Sequence, residues 1–324
     1  MHPFARTILH WYAAFGRDLP WRHTRDPYPV WLSEIILQQT RVAQGTAYWH
    51  RFLERFPTVE VLAEATEDEV LRLWEGLGYY SRARNLHAAA RQIVTLGHFP
   101  DTLEGIRALR GVGDYTAAAI GSICFGLPAA VLDGNVYRVL ARHFGIDTPV
   151  GTTLAQKEFR ALAQELLPIE DPAAYNQGMM DFGAIQCTPQ NPACLHCPLQ
   201  TSCHAFRHGR VELLPVKKAP ASVQERRLNY IYLRVGNCTA IRRRGPGDIW
   251  QGLWEPLTGE VPEGARLLKA GVKHQLTHRR ILADFYLAEL PCRPELPDGY
   301  IWIKETELTN YAKPRLFELL IAQI

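Results

Sequence analysis

Lysine is scarce in this chain: Lys157 is the only one in the first 210 residues, and arginine carries the positive charge there. Arginine suits planar, two-pronged contacts to phosphates and bases, although a genomic composition bias accounts for the pattern equally well. There is no stretch of ~18 uninterrupted apolar residues, so no membrane span is expected. The opening Met1-His2-Pro3-Phe4-Ala5-Arg6 lacks the apolar centre of a secretion signal, so a cytoplasmic protein is expected. A large net charge is also missing. At +3, charge alone does not argue for a nucleic-acid partner. Nor are the seven cysteines read as disulfides, because a reducing compartment keeps thiols free. No internal repeat is visible.

What is present fits a folded protein of two domains: 324 residues, 47% hydrophobic and 21% charged. Segments 31–56, 67–96, 114–126, 135–145 and 154–167 place apolar residues three and four apart, the helical period. Breaks fall at Phe56-Pro57, His98-Phe99-Pro100, Gly111-Val112-Gly113 and Asp133-Gly134. No segment of strand periodicity occurs before residue 210. The character then changes. Residues 211–225, with Leu214-Pro215-Val216-Lys217-Lys218-Ala219-Pro220, read as a linker. Leu228–Val235, Ile281–Leu290 and Tyr300–Ile303 read as strands, and 314–323 as a closing helix.

Cys187, Cys194, Cys197 and Cys203 are spaced Cys-x6-Cys-x2-Cys-x5-Cys. Four thiolates so close in sequence can surround one zinc ion, the general default, or a cubane iron–sulfur cluster. Cys124, Cys238 and Cys292 are scattered and read as ordinary thiols. Glycines in Leu109-Arg110-Gly111-Val112-Gly113-Asp114-Tyr115 let a backbone approach a phosphate, whose oxygens the turn amides can then meet. The bland alternative is a plain helix–helix turn.

Two carboxylates stand out. Glu34, in Trp31-Leu32-Ser33-Glu34-Ile35-Ile36, has apolar flanks; burial would keep it protonated near neutral pH, as a general acid requires. Alternatively it is a glutamate in a first helical turn beside a Ser33 cap. Asp133 directly precedes a helical period, so it reads either as an ordinary N-cap or as an ionised carboxylate facing developing positive charge.

Taken together, the motifs resolve these choices. The order SEIILQQT, GLGYYSRARNLH, GVGDYTAAAIGS and LDGNVYRVLARHFG, followed by the six-two-five cysteine loop, resembles the endonuclease III superfamily of helix-hairpin-helix DNA glycosylases. Within it, residues 1–210 resemble the adenine-specific family. The resemblance implies an all-α helix-hairpin-helix glycosylase domain over 1–210, with a 4Fe–4S cluster in the loop 187–203. It implies a linker at 211–225 and a C-terminal α+β MutT-like (Nudix-like) domain over 226–324, carried more weakly by GDIWQGLWEPL and KHQLTHRRI. By the same resemblance Glu34 protonates the leaving adenine and then activates water. Asp133 stabilises the cationic sugar or its covalent adduct, Asn135 and Tyr115 support that geometry, and Gly111, Val112 and Gly113 hold the DNA backbone.

Bifunctional relatives carry lysine where this chain has Tyr115, and its amine forms an imine with the sugar. With Lys157 the only lysine of that domain, a monofunctional enzyme with at most weak lyase activity is expected. Tyr137 likewise departs from members with lysine there. The resemblance further implies an adenine pocket of Arg17, Leu19, Trp21, Arg22, Leu37 and Gln177, and wedge residues Gln39, Thr40, Leu77 and Tyr79 that fill the gap left by the extruded base. It makes Thr277 and His278 readers of 8-oxoguanine, although the family's aromatic–serine–histidine element stands here as Leu276-Thr277-His278. No glutamate-rich pyrophosphohydrolase signature is seen. The implied activity is removal of adenine mispaired with 8-oxoguanine or guanine in double-stranded DNA, by a monomer. A thymine mismatch glycosylase of the same superfamily is the alternative.

Overall fold

A computed structural model of the chain describes residues 1–218, 224–276 and 279–324. Its helices are α1 (Pro3–Phe15), α2 (Pro27–Ile36), α3 (Val42–Arg55), α4 (Val59–Glu64), α5 (Glu67–Leu73), α6 (Ser81–Leu96), α7 (Leu103–Ala108), α8 (Asp114–Phe125), α9 (Gly134–Phe144), α10 (Thr153–Leu166), α11 (Pro172–Asp181), α12 (His204–Arg207) and α13 (Arg315–Ile321). Its strands are β1 (Gln224–Val235), β2 (Cys238–Arg243), β3 (Trp254–Thr258), β4 (Arg266–Gln275), β5 (Arg279–Glu289) and β6 (Tyr300–Lys304). Among the described residues, no helix is long and apolar enough to cross a membrane.

Two compact units emerge, Met1–Leu53 with Ala89–Ala219, and Glu54–Ala88 with Pro220–Ile324. A linear reading with a linker at 211–225 separates only the C-terminal part. In the structure α4, α5 and the start of α6 group with that part.

The first unit is built around α8. Residues Thr116–Ile123 of this helix are all buried, so it lacks the polar face of a surface helix. Its small residues permit close neighbours. A Cβ on Gly121 would meet Leu103 of α7 at 2.9 Å. Helices α2, α7 and α11 pack on it, and α11 also contacts α1 and α9. Buried Asn176 of α11 accepts from the Val131 amide at 3.1 Å and donates to Ala129 O at 2.8 Å and Ser122 Oγ at 2.9 Å. The segment leading into Asp133 is thereby fixed to α8 and α11.

Two expected helices are each broken in two. The segment 31–56 becomes α2 and α3, with Gln39 in the left-handed region at φ 58° between them. The segment 67–96 becomes α5 and α6, separated by a turn where Gly76, Gly78 and Tyr79 have φ of 94°, 70° and 46°. Helix α2 starts earlier than expected because Asp26 caps it, accepting from the Tyr28 amide at 3.0 Å, with Pro27 in the first turn.

The second unit holds a six-stranded sheet of order β4-β5-β1-β3-β2-β6, in which only the β1–β5 pair is parallel. Period-2 alternation along β1 puts Tyr230 and Tyr232 in one core, with Phe285 and the α13 residues Leu316, Phe317 and Leu320. Ile231 and Leu233 enter a smaller core on the other face, with Ala240 and Ala288. The expected strands appear as β1, β5 and β6, while β2, β3 and the largely exposed β4 were not anticipated.

Candidate active site

Helix α2 places Glu34 in its last turn, not its first. Ser33 is not a cap: its hydroxyl donates to Val30 O at 2.7 Å. At a helix C-terminus the macrodipole disfavours a carboxylate, so the alternative of a dipole-stabilised first-turn glutamate is removed. Glu34 is 8% exposed. Burial pushes its pKa up to about 7, and nearby Asp133 adds to the rise, while a hydrogen bond from Tyr115 and the Arg22 charge oppose it.

Asp133 is the N-cap of α9, accepting from the Val136 amide at 2.8 Å and from Asn135 Nδ2 at 2.8 Å. Burial raises its pKa, and those bonds together with Arg138 pull the other way. The N-cap and the functional reading therefore coexist in one residue. Of the two carboxyls, Glu34 shows the larger rise: burial raises both, and at Asp133 bonds from the Val136 amide and Asn135 offset it.

Both carboxyls line one cavity of about 1300 Å³. Arg17, Leu19, Trp21, Arg22, Leu37, Gln39, Thr40, Tyr115, Asn135 and Gln177 line it too, so most of the expected site is brought together. Tyr115, at the start of α8, donates its hydroxyl to Met180 Sδ, 3.2 Å away. Gln177 Oε1 accepts from Tyr12 at 2.5 Å, which fixes the amide of this pocket residue.

The two arginines are engaged differently from the expectation. Both clamp the fully buried Asp181: Arg17 Nε and Arg22 Nη1 lie 2.8 and 2.7 Å from its oxygens, and the Arg17 amide adds a bond at 2.8 Å. These bonds hold Asp181 below the usual carboxylate range against the opposing effect of burial. Asp181 was not anticipated. The only sequence signal was its position four residues after Gln177, on the same helical face.

Leu77 and Tyr79 do not line this cavity; they belong to the second unit and line another one there. Thr277 and His278 lie outside the described residues. In the hairpin between α7 and α8, Gly111 has φ 79°, and Gly113 is exposed, with open space where a side chain would sit. Val112 departs from the expected role. Its side chain is buried, and its amide bonds Leu109 O at 3.1 Å, so it shapes the turn from within.

After α11 a wide turn, Phe182–Gln186, leads into the cysteine loop. A Cβ on Gly183 would come within 2.5 Å of Asn135 Cβ, so this close approach requires glycine. Two arginines of α9 hold the loop. Arg138 Nε donates to Cys187 O at 2.7 Å, and its Nη2 to Asn135 Oδ1 at 2.8 Å. Arg142 donates to Thr188 O at 2.7 Å and Pro189 O at 3.1 Å, and approaches Cys187 Sγ at 3.5 Å. Cys187, Cys194, Cys197 and Cys203 are free thiols lining a single cavity of about 420 Å³.

Comparison with known proteins adds to this geometry. Residues 32–167 match the family described as "HhH-GPD superfamily base excision DNA repair protein", and residues 229–323 match the NUDIX domain. The adenine DNA glycosylase of Mus musculus is 43% identical over 226 residues, covering 65% of this chain and 44% of that protein. That of Buchnera aphidicola subsp. Baizongia pistaciae (strain Bp) is 35% identical over 255 residues, covering 78% of this chain and 72% of the relative. This chain thus spans less than half the length of the mammalian relative. Among solved structures, a thermostable thymine-DNA glycosylase superposes with a TM-score of 0.59 at 33% identity, covering 63% of this chain and 95% of that one. A non-covalent endonuclease III–DNA complex gives a TM-score of 0.55 at 22% identity over 64% of this chain and 94% of that one, a likeness of fold.

Proposed function

This chain belongs to the adenine DNA glycosylase family, and we propose that it excises adenine opposite 8-oxoguanine or guanine in duplex DNA by hydrolysing the N-glycosidic bond. Two carboxyls of unlike acidity in one cavity, Glu34 buried and Asp133 half-buried, are the observation that carries this reading. Departure of a purine needs a proton on the base and charge stabilisation at the sugar. Glu34, with its pKa at about 7, holds a proton at neutral pH and delivers it to the imidazole-ring nitrogen of adenine. The bond to the sugar then breaks with its electrons leaving on the base. Asp133, the more acidic partner, faces the oxocarbenium-like sugar as a carboxylate. The Glu34 carboxylate next takes a proton from water as it attacks.

Tyr115 steers Glu34, and Asn135 steers Asp133 through its bond at 2.8 Å. Trp21 and Leu37 offer apolar walls to the base, and Gln177 hydrogen bonds. Arg17 and Arg22 shape this pocket through Asp181. The exposed glycines of the α7–α8 hairpin meet the DNA backbone, while Gln39, held with φ 58°, and Thr40 fill the space vacated by the extruded base.

We read the four thiols as holders of a 4Fe–4S cluster, as the six-two-five spacing of the family implies. All four line one cavity, so one group can reach them together. When bound, the cluster supplies four iron–thiolate bonds that cross-link the loop 187–203. Arg142, beside Cys187, offsets the negative charge of the thiolates.

Single-turnover excision on duplexes bearing adenine or thymine opposite guanine or 8-oxoguanine tests the reading. Adenine release, fastest opposite 8-oxoguanine, is expected. Release of thymine without adenine would instead favour a thymine mismatch glycosylase, the activity named for the solved structure at 33% identity.

A further inference from the structure

The second unit contains a cavity of about 1860 Å³ that the catalytic steps do not use. Tyr79, Trp250, His274 and Leu276 line it, together with Arg84 and Arg315. Tyr79 and Trp250 are both non-glycine residues in the left-handed region, with φ of 46° and 58°. Such conformations persist only where the surroundings over-determine them, and they concentrate at ligand sites.

The surroundings of Trp250 are built for that purpose. Two residues before it, Asp248 gathers Arg226 at 2.7 Å, Arg244 at 2.6 Å and Arg279 at 3.4 Å, and accepts from the Ile249 amide at 2.7 Å. Arg244 Nε donates to Ile249 O at 2.8 Å, and the Leu253 amide donates to Trp250 O at 3.0 Å. The indole is then held edge-on by His274 at 5.6 Å, with the Arg244 guanidinium 5.8 Å from its centre. A half-buried tryptophan is thus preset in a cavity that also carries an exposed tyrosine and several arginines. Arg279 and Arg315 are paired there with Asp248 and Glu318, so the aromatic walls are what suit a purine base. The sequence offers no aromatic at Leu276, where the resemblance calls for one, and Trp250 lines the same cavity.

We propose that Trp250 is a specificity-determining residue, presenting an aromatic surface to the purine that partners the excised adenine. This rests on the reading of the chain as an enzyme of adenine/8-oxoguanine mispairs. The test measures dissociation constants for duplexes with a non-hydrolysable adenine analogue opposite an abasic site or 8-oxoguanine. The ratio of the two constants is the readout. Trp250→Leu should reduce that ratio at least ~5-fold, the effect of losing one stacking surface, while Trp250→Phe should largely preserve it. Trp302→Phe, against the other face of the sheet, should leave it unchanged.

If the wild-type ratio is near one, the mispair reading itself fails. If the wild type discriminates and Trp250→Leu discriminates equally, the assignment of Trp250 is overturned while the mispair reading stands. Should Trp250→Leu fold poorly, fluorescence decides. The 8-oxoguanine duplex should quench wild-type emission more than that of Trp250→Phe, and equal quenching overturns the assignment.

Discussion

The hydroxyl of Tyr115 and the carboxyl of Glu34 share one cavity, and Tyr115 pulls the pKa of the acid down. This works against burial, which alone would drive Glu34 still higher. Glu34 in turn disfavours ionisation of Tyr115, whose own pKa lies well above the ordinary phenol value, mainly through burial. The pair therefore shares one reactive proton, on Glu34, and Tyr115 remains a neutral donor.

Placing an amine at that position should change the reaction outcome. Tyr115→Lys puts a nucleophile beside Glu34 and Asp133, so incubation with substrate duplex and borohydride should yield a covalent protein–DNA adduct. The wild type should yield little. Equal trapping in both would show that the chain already uses another amine.

Excision should fall with rising pH. Glu34 must carry a proton to act, so the single-turnover rate declines as pH passes through about 7. Glu34→Gln should lower the rate by ~10²-fold or more and remove this dependence. A wild-type rate that stays flat between roughly pH 6 and 9 would count against Glu34 as the acid.

The same group sets a stability trend. Its folded pKa is raised from 4.5 to about 7, so its favourable contribution is complete below 4.5 and is lost as pH rises through 7. That rise of about 2.5 units corresponds to on the order of 3 kcal/mol of destabilisation at high pH. Glu34→Gln should therefore be more stable than wild type in urea unfolding at roughly pH 8, with the gap closing near pH 4. A pH-independent difference would refute the linkage.

Asp181 should prove a structural keystone of the pocket. It is fully buried with Arg22 and Arg17 on its oxygens. Asp181→Asn leaves two guanidiniums short of a counter-charge, at a cost of about 3 kcal/mol by thermal or chemical unfolding. Excision should weaken as well, since both arginines line the adenine cavity. A variant as stable as wild type would show that solvent compensates the arginines.

The hairpin glycines should separate stability from DNA affinity. A methyl on Gly113 meets nothing within 4 Å and its φ of −96° suits any residue, so Gly113→Ala should fold normally yet bind duplex more weakly. Gly111→Ala, at φ 79°, should also lose about 1 kcal/mol of stability. If Gly113→Ala binds as tightly as wild type, the turn does not meet phosphate.

The sequence pattern led to Glu34 and Asp133 because each stands beside a helical period, and to the four cysteines because their spacing is distinctive. Periodicity could not show that 31–56 and 67–96 are broken, since the breaks are left-handed residues at Gln39 and Tyr79, types that do not announce such turns. Nor could it show that Asp181 would bind both pocket arginines, as a single acid in a helix carries no spacing signal. The grouping of Glu54–Ala88 with the C-terminal part depends on contacts remote in the chain. In the sheet, β4 escaped notice because it is largely exposed and its apolar residues do not alternate with polar ones, while β2 and β3 are short.

Helix α9 carries Asp133 at one end and, one and two turns further on, the arginines that grip the cysteine loop. Its eleven residues form a rod ~16 Å long, with little give along its axis. Protein purified without the proposed cluster would thus be expected to lose register at Asp133 even with every side chain lining the Glu34 cavity intact.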